Sequence, residues 1–321
     1  MNEILKNTNT DVNPLFYNYE ECKAYTRHHA KSFYFSSFLL PKEKRIASYA
    51  IYTFCRYTDN LVDHSHKIPD AEIISRFDYV YNFLADVYAG KVKNNAFAET
   101  VKKFKIPMHY FTELIDGVMM DITKNRYATF MELDTYCYKV ASVVGLMMSE
   151  IFGYASKSAL PYAVYLGKAM QLTNILRDIY EDYMMDRIYL PADELRCFEY
   201  SDEDIKKKVI DTRFYDMMKF NIGRNRSFYE LGSHGIPYLT NDGSRTAVVL
   251  MYKIYSGILN EIENFNYDIY SGRRFVSAAN KLKLTGAYLL NPYERKKYSR
   301  LPDAKHHERV KSMYPNLYFN E

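Results

Sequence analysis

Two pairs of aspartates have a spacing that could bind a metal ion. Asp59 and Asp63 are four residues apart, and Asp178 and Asp182 repeat that spacing later in the chain. On a helix such residues lie on one face about 5–6 Å apart, and two like charges there call for a compensating cation. Carboxylate oxygens suit Mg²⁺, which binds a few of them together with water and phosphate oxygens. One such pair is usually a solvated helix face, but two pairs favour a metal site that acts on a diphosphate.

The second pair belongs to a longer polar stripe. Gln171 and Asn174 precede Asp178 and Asp182 at steps of three, four and four residues, which keeps all four on one face of a helix. The flanking positions are apolar, so this face looks either at solvent or into a wet cavity. An arginine stands close to each aspartate pair: Arg56 and Arg177.

Helices must position these side chains. Only 12 Gly and 10 Pro occur in 321 residues, which disfavours a turn-rich all-β fold. Helical periodicity fills the segments between prolines, so we expect one all-α domain. The expected helices follow Pro41, begin at Asp70, and lie around 108–125, 131–154, 159–185, 213–230 and 244–266. We place a flexible N-terminal arm at 1–20, the catalytic domain at 21–300 and a C-terminal tail at 301–321.

Tyrosine is unusually abundant, with 33 residues against 19 Phe and no Trp. The simplest interpretation is compositional, with Tyr replacing other amphipathic residues across the surface. The alternative is an aromatic-lined cavity, because a buried Tyr offers an apolar ring and one polar tip.

Composition and charge exclude several classes of protein. The 43 Lys and Arg against 39 Asp and Glu leave a net charge of +4, which gives no support for a nucleic-acid partner. The four cysteines lack metal-ligand spacing, so we expect reduced thiols and a cytoplasmic location. No apolar run is long enough for a transmembrane helix, and the N-terminus lacks a signal core. Peripheral membrane contact stays open, and we expect a monomer or weak dimer.

Several segments in order resemble the squalene/phytoene synthase family, the head-to-head prenyl transferases, and in particular its phytoene-forming bacterial members. The matching segments are His29–Phe33 with Leu39–Pro41, Ile51–Asp63, Tyr136–Gly145, Gln171–Leu195 and Arg273–Ser277. They span residues 25 to 280. The combination is specific, although no single segment would be.

The resemblance implies a single-domain isoprenoid-synthase helical bundle with a central cavity. It implies Mg²⁺, with Mn²⁺ as a substitute, held by Asp59, Asp63, Asp178 and Asp182. It implies that the prenyl diphosphate is bound by His29, Lys31, Ser32, Arg56, Gln171, Asn174, Arg177, Tyr255 and Arg273. It also implies that the catalytic groups are Tyr52, Arg56, Tyr136 and Tyr189.

Three positions depart from the family pattern or leave its alignment open. Asn60 stands where a second Asp is common, and it offers a carbonyl oxygen without charge. Tyr180 stands where Gly is common, so its ring must point away from the metal face or narrow the site. A one-residue spacing difference after Tyr267 leaves Arg273 and Arg274 as alternatives for the basic C-terminal contact.

The implied reaction joins two prenyl diphosphates through a cyclopropyl diphosphate. Ser36 and Ser37 are small where a bulky side chain would shorten a pocket, which favours geranylgeranyl diphosphate as substrate and phytoene as product. The alternatives are squalene or dehydrosqualene from farnesyl diphosphate, with NADPH needed only for squalene. A non-catalytic assembly protein of the same fold is a further alternative. A head-to-tail elongase or a terpene cyclase fits the motif format less well.

Overall fold

Helices form the regular structure of this protein in a computed structural model that describes residues 15, 17–63, 70–303 and 313. The side chains of Asp63, Asp70 and Ala71 lie outside that description. The helices are α1 (Tyr19–His29), α2 (Lys31–Ser37), α3 (Lys42–Asp63), α4 (Asp70–Tyr88), α5 (Ala96–Phe104), α6 (Met108–Thr123), α7 (Phe130–Cys137), α8 (Val143–Phe152), α9 (Leu160–Arg177), α10 (Ile179–Met184), α11 (Ala192–Cys197), α12 (Asp202–Lys206), α13 (Thr212–Ser233), α14 (Ser244–Asn264), α15 (Ala278–Leu290) and α16 (Pro292–Lys297). The all-α prediction is confirmed, since the described part of the chain contains only two isolated β-bridges.

Most of the expected helices lie where periodicity placed them. Helix α3 follows Pro41 and α4 begins at Asp70, while α6, α13 and α14 match their predicted ranges to within a few residues. The chain turns between α1 and α2 at Ala30, whose φ of −130° and ψ of 61° are not helical. That turn places His29, Lys31 and Ser32 at one junction.

Helix α9 occupies the centre of the bundle. It packs against α13 and against α8 with the π-helical turn that precedes α8. Contact is close because Gly167 carries no side chain: a Cβ there would lie 2.6 Å from the carbonyl oxygen of Ala141. The C-terminal end of α9, which carries Gln171, Asn174 and Arg177, is thereby fixed inside the bundle.

Two predicted helices are interrupted, and both interruptions lie in motif segments. The segment expected as one helix over 131–154 is α7, a π-helical turn at Tyr138–Ser142, and α8. The segment expected over 159–185 breaks at Asp178, whose φ of −108° and ψ of 19° separate α9 from α10. The prediction of one continuous helix over 159–185 was therefore wrong. The backbone N–H of Asp182 still donates to the carbonyl of Asp178 at 2.8 Å, so the turn between the two aspartates persists.

The tyrosine surplus is mostly inside the protein. Among the described residues only Tyr79, Tyr88 and Tyr293 are exposed. Most of the others are fully or partly buried, and several donate to buried acceptors or stack on each other. Many tyrosines are thus only partly buried, where an apolar ring can face the core while the polar tip reaches water or a hydrogen-bond partner.

The two ends of the chain are described only in part. Leu15 is buried and α1 starts at a capping box of Asn18 and Glu21, so the described end of the proposed arm packs on the bundle. The rest of that arm, and most of the tail after residue 300, lie outside the described residues. All four cysteines are free thiols. Within the described residues, no helix is both long and apolar enough to span a bilayer.

Candidate active site

The end of α3 and the α9–α10 junction are joined directly. Arg187, which follows α10, is buried and donates from Nη2 to the backbone carbonyl of Val62 at 3.1 Å. Val62 lies in the last turn of α3, between Asp59 and the chain position of Asp63. The contact therefore brings the two aspartate segments together from 125 residues apart. The side chain of Asp63, a predicted metal ligand, lies outside the described residues.

Asp178 is held between two arginines. Arg177 donates from Nε and Nη2 at 2.7 and 2.5 Å, and Arg273 donates from Nε and Nη2 at 2.9 and 2.8 Å. Both pairs are bidentate, the strongest geometry for a guanidinium and a carboxylate. Burial alone would raise the pKa of Asp178, but the hydrogen bonds and charges of Arg177 and Arg273 lower that pKa below its usual value. Asp178 is therefore a fixed anion.

Asp182 lies one turn further, in surroundings that disfavour the charged form of its carboxyl group. Burial, followed by repulsion from Asp178, raises the pKa of Asp182 to about 8, although the charge of Arg187 acts in the opposite direction. Asp121 on α6 adds to the repulsion. A carboxylate in this environment is stabilised by a cation, which is the property expected of a metal ligand.

The first aspartate segment is more open. Asp59 accepts from Arg56 Nη1 at 2.5 Å, and the two side chains are 43% and 35% exposed. Asn60, one of the departures, donates from Nδ2 to the hydroxyl of Tyr25 at 3.0 Å, which ties it to α1. The ring of His29 packs on Tyr25 with centroids 4.3 Å apart. Burial, then the neighbouring charges of His28 and Arg56, lowers the pKa of His29.

The carboxylates fit Mg²⁺ in its usual protein mode. Among the described residues no three His, Cys, Asp or Glu side chains are grouped to enclose an ion. Mg²⁺ needs no such cage, since it takes one or two carboxylates and completes its shell with water and substrate phosphates. The carboxylates of Asp59, Asp178 and Asp182 are oxygen donors of the kind that this mode uses, and they would hold the ion together with water and phosphate oxygens.

Tyr255, a predicted diphosphate residue, and Tyr52, a predicted catalytic residue, each lie near arginines of the candidate site. Tyr255 on α14 is half-buried close to Arg177 and Arg273: desolvation raises its pKa, and the charges of those two arginines oppose the rise. Tyr52 on α3 lies near Arg56, and its ring is 5.7 Å from that of Phe33. These residues surround the arginine–aspartate cluster.

Other predicted diphosphate residues lie at the end of α9 and at the start of α2. Asn174 Nδ2 lies 3.5 Å from Gln171 Oε1 on α9. Lys31 is exposed and Ser32 half-buried at the start of α2, which packs on α14. The contacts that the structure gives for Lys31 and Ser32 do not join them to the aspartates.

The two alternatives for the C-terminal basic contact have different surroundings. Arg273 binds Asp178, whereas Arg274 donates from Nε to the backbone carbonyl of Asp268 at 2.8 Å. The guanidinium of Arg274 also faces the ring of Phe265 at 4.2 Å. Arg273 is therefore the one that reaches the candidate site, and Arg274 braces the loop before α15.

The ring of Tyr180 points away from the aspartates. It meets Tyr270 edge-on at 5.9 Å and stacks on Tyr183 at 6.4 Å, and Lys208 Nζ lies 3.9 Å from its centroid. The bulky side chain that replaces Gly in the family pattern is accommodated in an aromatic cluster on the outer side of α10. It does not narrow the metal face.

Tyr136 and Tyr189 lie together on an acidic residue that sequence reasoning missed. Their rings stack with centroids 5.0 Å apart, and their hydroxyl oxygens are 3.2 Å apart. Tyr136 donates to Asp121 Oδ2 at 2.9 Å, and Tyr189 donates to Oδ1 at 3.0 Å. Burial, then the charge of Asp121, raises the pKa of both phenols, so both stay protonated. The only signal for Asp121 was a lone carboxylate after four uncharged residues in α6.

Ser36 and Ser37 both face the interior. Each is fully buried, and the Ser37 hydroxyl lies 2.7 Å from the hydroxyl of Tyr49. Phe38, next along the chain, is 55% exposed. The small side chains are therefore on the inner face of α2, as a long substrate pocket would require.

Comparison with known protein families finds a match over most of this chain. The family model "Squalene/phytoene synthase" matches residues 26–280. The chain belongs to the squalene/phytoene synthase family and is a prenyltransferase with the all-helical isoprenoid-synthase fold.

Within the family, its relatives include phytoene synthases. The chain is 38% identical to the 15-cis-phytoene synthase of Synechococcus elongatus over 82% of this chain and 90% of that protein. It is 39% identical to the 15-cis-phytoene synthase of a Synechocystis species, over 82% of each chain. The crystal structure of a dehydrosqualene synthase in complex with ligand matches with a TM-score of 0.77 and 29% identity, over 85% of this chain and 96% of that one. A squalene synthase from Alicyclobacillus acidocaldarius matches with a TM-score of 0.70 and 25% identity, over 78% and 94%.

Proposed function

We propose that this protein condenses two molecules of geranylgeranyl diphosphate head to head, releasing diphosphate and forming phytoene through a cyclopropyl diphosphate. The observation that carries the proposal is the pairing of Asp178 with Arg177 and Arg273 beside a wall of buried tyrosines. One part of that arrangement suits a diphosphate, and the other suits a carbocation. The similarity to proteins named phytoene synthase supports the choice of substrate.

The charged residues would bind and orient the diphosphate. Asp59, Asp63, Asp178 and Asp182 would hold Mg²⁺, which supplies the positive charge that makes diphosphate a good leaving group. Guanidinium groups of Arg56, Arg177 and Arg273 bind phosphate oxygens well, because their planar forks match phosphate geometry. The remaining polar contacts are His29, Lys31, Ser32, Gln171, Asn174 and Tyr255.

The tyrosines would manage the cation after diphosphate leaves. Tyr52, Tyr136 and Tyr189 exclude water, and their ring faces stabilise positive charge. The protons of the Tyr136 and Tyr189 hydroxyls are directed to Asp121. Their phenol oxygens consequently cannot release a proton to the reaction, and the rings are fixed in one orientation.

A second candidate is the condensation of farnesyl diphosphate to dehydrosqualene, or to squalene with NADPH. The likeness to the dehydrosqualene synthase structure favours it. The small size of Ser36 and Ser37 favours the longer substrate, and the similarity to phytoene synthases supports the same choice.

Product analysis tests the proposal directly. Purified protein with Mg²⁺ is incubated with farnesyl or geranylgeranyl diphosphate, with and without NADPH, and the products are identified by mass spectrometry. We expect phytoene from geranylgeranyl diphosphate, with no need for NADPH. Conversion of farnesyl but not geranylgeranyl diphosphate would overturn the choice of substrate, and no conversion of either would favour an assembly role.

A substitution at Ser37 tests whether this position borders the pocket for the prenyl chain. Ser37→Phe is expected to shift the ratio of kcat/KM values toward farnesyl diphosphate by about tenfold or more, since an overpacked pocket rejects the longer chain. Ser75→Phe, at an exposed position on α4, is the matched control and should leave the ratio unchanged.

A further inference from the structure

Helices α15 and α16 expose an apolar stripe that the candidate site does not use. Leu282 and Leu289 are seven residues apart on one side of α15 and are 63% and 40% exposed. Leu290 and Tyr293 continue the stripe at 84% and 86% exposure. A side chain added at Gly286, between the two leucines, would meet nothing within 4 Å. Large apolar side chains grouped in this way mark an interaction surface.

The same two helices are strongly basic. Residues 278–297 contain five Lys or Arg and one acidic residue, so their net charge of +4 equals that of the whole chain. Lys283, Lys296 and Lys297 are exposed beside the stripe. The single acidic residue, Glu294, is paired with Lys253 and offsets little of this charge. An apolar stripe flanked by cations on a helical surface is the pattern of a helix that lies in a membrane interface.

The stripe also lies next to the candidate site. Arg273, which binds Asp178, precedes α15 by five residues. Helix α15 packs on α14, which carries Tyr255. Lys281 in α15 is close enough to Lys31 for the charge of Lys31 to reinforce the effect of burial, which lowers the Lys281 pKa. A product that leaves the site beside α2 would thus emerge near α15.

We propose that the face formed by Leu282, Leu289, Leu290 and Tyr293 with Lys283, Lys296 and Lys297 docks on the surface of an anionic lipid bilayer. The inference rests on the proposed function, since a hydrocarbon product needs an apolar destination. Charge complementarity selects anionic lipid as the occupant, because each Lys or Arg near such a surface adds attraction. The leucines and Tyr293 would lie at the boundary between headgroups and acyl chains.

Vesicle flotation tests the docking. The full-length protein is mixed with vesicles of phosphatidylcholine alone, or of phosphatidylcholine with phosphatidylserine, and the floated fraction is measured at low and high salt. We expect flotation with the anionic vesicles that weakens as salt rises. A wild-type protein that does not float with anionic vesicles would overturn the proposal.

Two sets of substitutions separate the contribution of the apolar side chains to vesicle binding from that of the lysines. Leu282→Ser with Leu289→Ser and Leu290→Ser should weaken vesicle binding about tenfold or more. Lys283→Glu with Lys296→Glu and Lys297→Glu should weaken binding to anionic vesicles about a hundredfold. The control is Met131→Ser with Ile74→Ser, which removes exposed apolar side chains on α7 and α4 and should bind like wild type. Equal loss in the control, or no loss in the leucine variant, would overturn the assignment of the face.

Two more measurements distinguish membrane docking from dimer formation and from the proposed function. If the leucine variant converts a dimer into a monomer in size-exclusion chromatography, the stripe is an interface between copies and the membrane proposal fails. Turnover is also assayed in detergent micelles, where the leucine variant should keep wild-type activity. Wild-type protein that floats but makes no phytoene in micelles would overturn the proposed function and leave the docking intact.

Discussion

The two aspartate segments share a spacing but differ in how the protein holds them. Asp59 is 43% exposed and accepts from Arg56 on its own unbroken helix. Asp178 is 15% exposed and is bound by two arginines, one of them 95 residues away, at a break between helices. The same motif is therefore solvent-exposed on α3, whereas at the α9–α10 junction it is largely buried and held in place by ion pairs. Fixed charges act more strongly where water is excluded, so the second segment should dominate the stabilisation of the departing diphosphate.

The largest expected effect comes from removing one carboxylate of each segment. Asp178→Asn should lower kcat by about 10³-fold and Asp59→Asn by about 10²-fold, since several kcal/mol of charge stabilisation depend on the metal and the second segment dominates it. The two should differ in stability. Asp178→Asn should cost about 3 kcal/mol, because it removes the carboxylate shared by Arg177 and Arg273, whereas Asp59→Asn should cost about 1 kcal/mol or less. Urea unfolding measures this, and equal losses would erase the contrast between the segments.

The pH dependence of stability tests the unbalanced charge at Asp182. A folded-state pKa of about 8 lies above the ordinary value, so the folded protein binds more protons than the unfolded chain between about pH 4 and pH 8. In metal-free buffer the contribution of Asp182 to stability is full below about pH 4 and is lost as pH rises toward 8, a change of a few kcal/mol.

Thermal or urea unfolding across that pH range measures the slope. Asp182→Asn should flatten it, whereas Asp59→Asn should leave it in place. Mg²⁺ should restore stability mainly at the alkaline end, where the carboxylate is free to bind. An unchanged slope in Asp182→Asn would contradict the assignment.

Asp121 extends the comparison to the tyrosines beside the second segment. Asp121→Asn keeps the shape of the side chain but removes the charge that anchors both hydroxyls. We expect kcat to fall about 10–100-fold with KM nearly unchanged, because the residue positions Tyr136 and Tyr189 and does not touch diphosphate. Asp116→Asn is the control on the same helix, where the carboxylate accepts from Tyr81 at an exposed position. A rise in KM without a fall in kcat would place Asp121 in substrate binding instead.

The smallest expected effect separates two neighbouring arginines. Arg273→Gln should raise KM for the prenyl diphosphate about tenfold, the loss expected when one charge-assisted contact is removed. Arg274→Gln should leave KM within about twofold and lower the unfolding free energy by about 1 kcal/mol, because Arg274 braces the loop. Steady-state kinetics and urea unfolding distinguish the two, and a tenfold rise in KM for Arg274→Gln would reverse the assignment.

Local features of the molecule could be predicted from sequence. The starts of α3 and α4 follow from Pro41 and Asp70, and the spacing of the aspartates identifies the acidic residues, because helical periodicity and capping depend on neighbours in the chain. The resemblance then connected distant motifs. The comparisons confirm the family, while the role of each site residue stays a prediction.

Features that depend on contacts between distant segments could not be predicted. The break at Asp178 accompanies a bond to Arg273, and the orientation of Tyr180 depends on Tyr270. Tyr136 and Tyr189 donate to Asp121 from 15 and 68 residues away in the chain, so helical spacing does not identify this residue. The burial of the tyrosines likewise depends on packing that composition alone does not encode.

In the proposed site, the bond between Arg273 and Asp178 would couple the binding of two ligands. The guanidinium covers carboxylate oxygens that a metal ion needs, and the carboxylate covers the donors that a phosphate needs. A diphosphate bound to Arg273 would remove one of the two arginines from Asp178, and a metal ion bound to Asp178 would release Arg273. Each ligand should therefore tighten the binding of the other by the same factor. This ion pair would make the site respond to the coincidence of metal and substrate rather than to either alone.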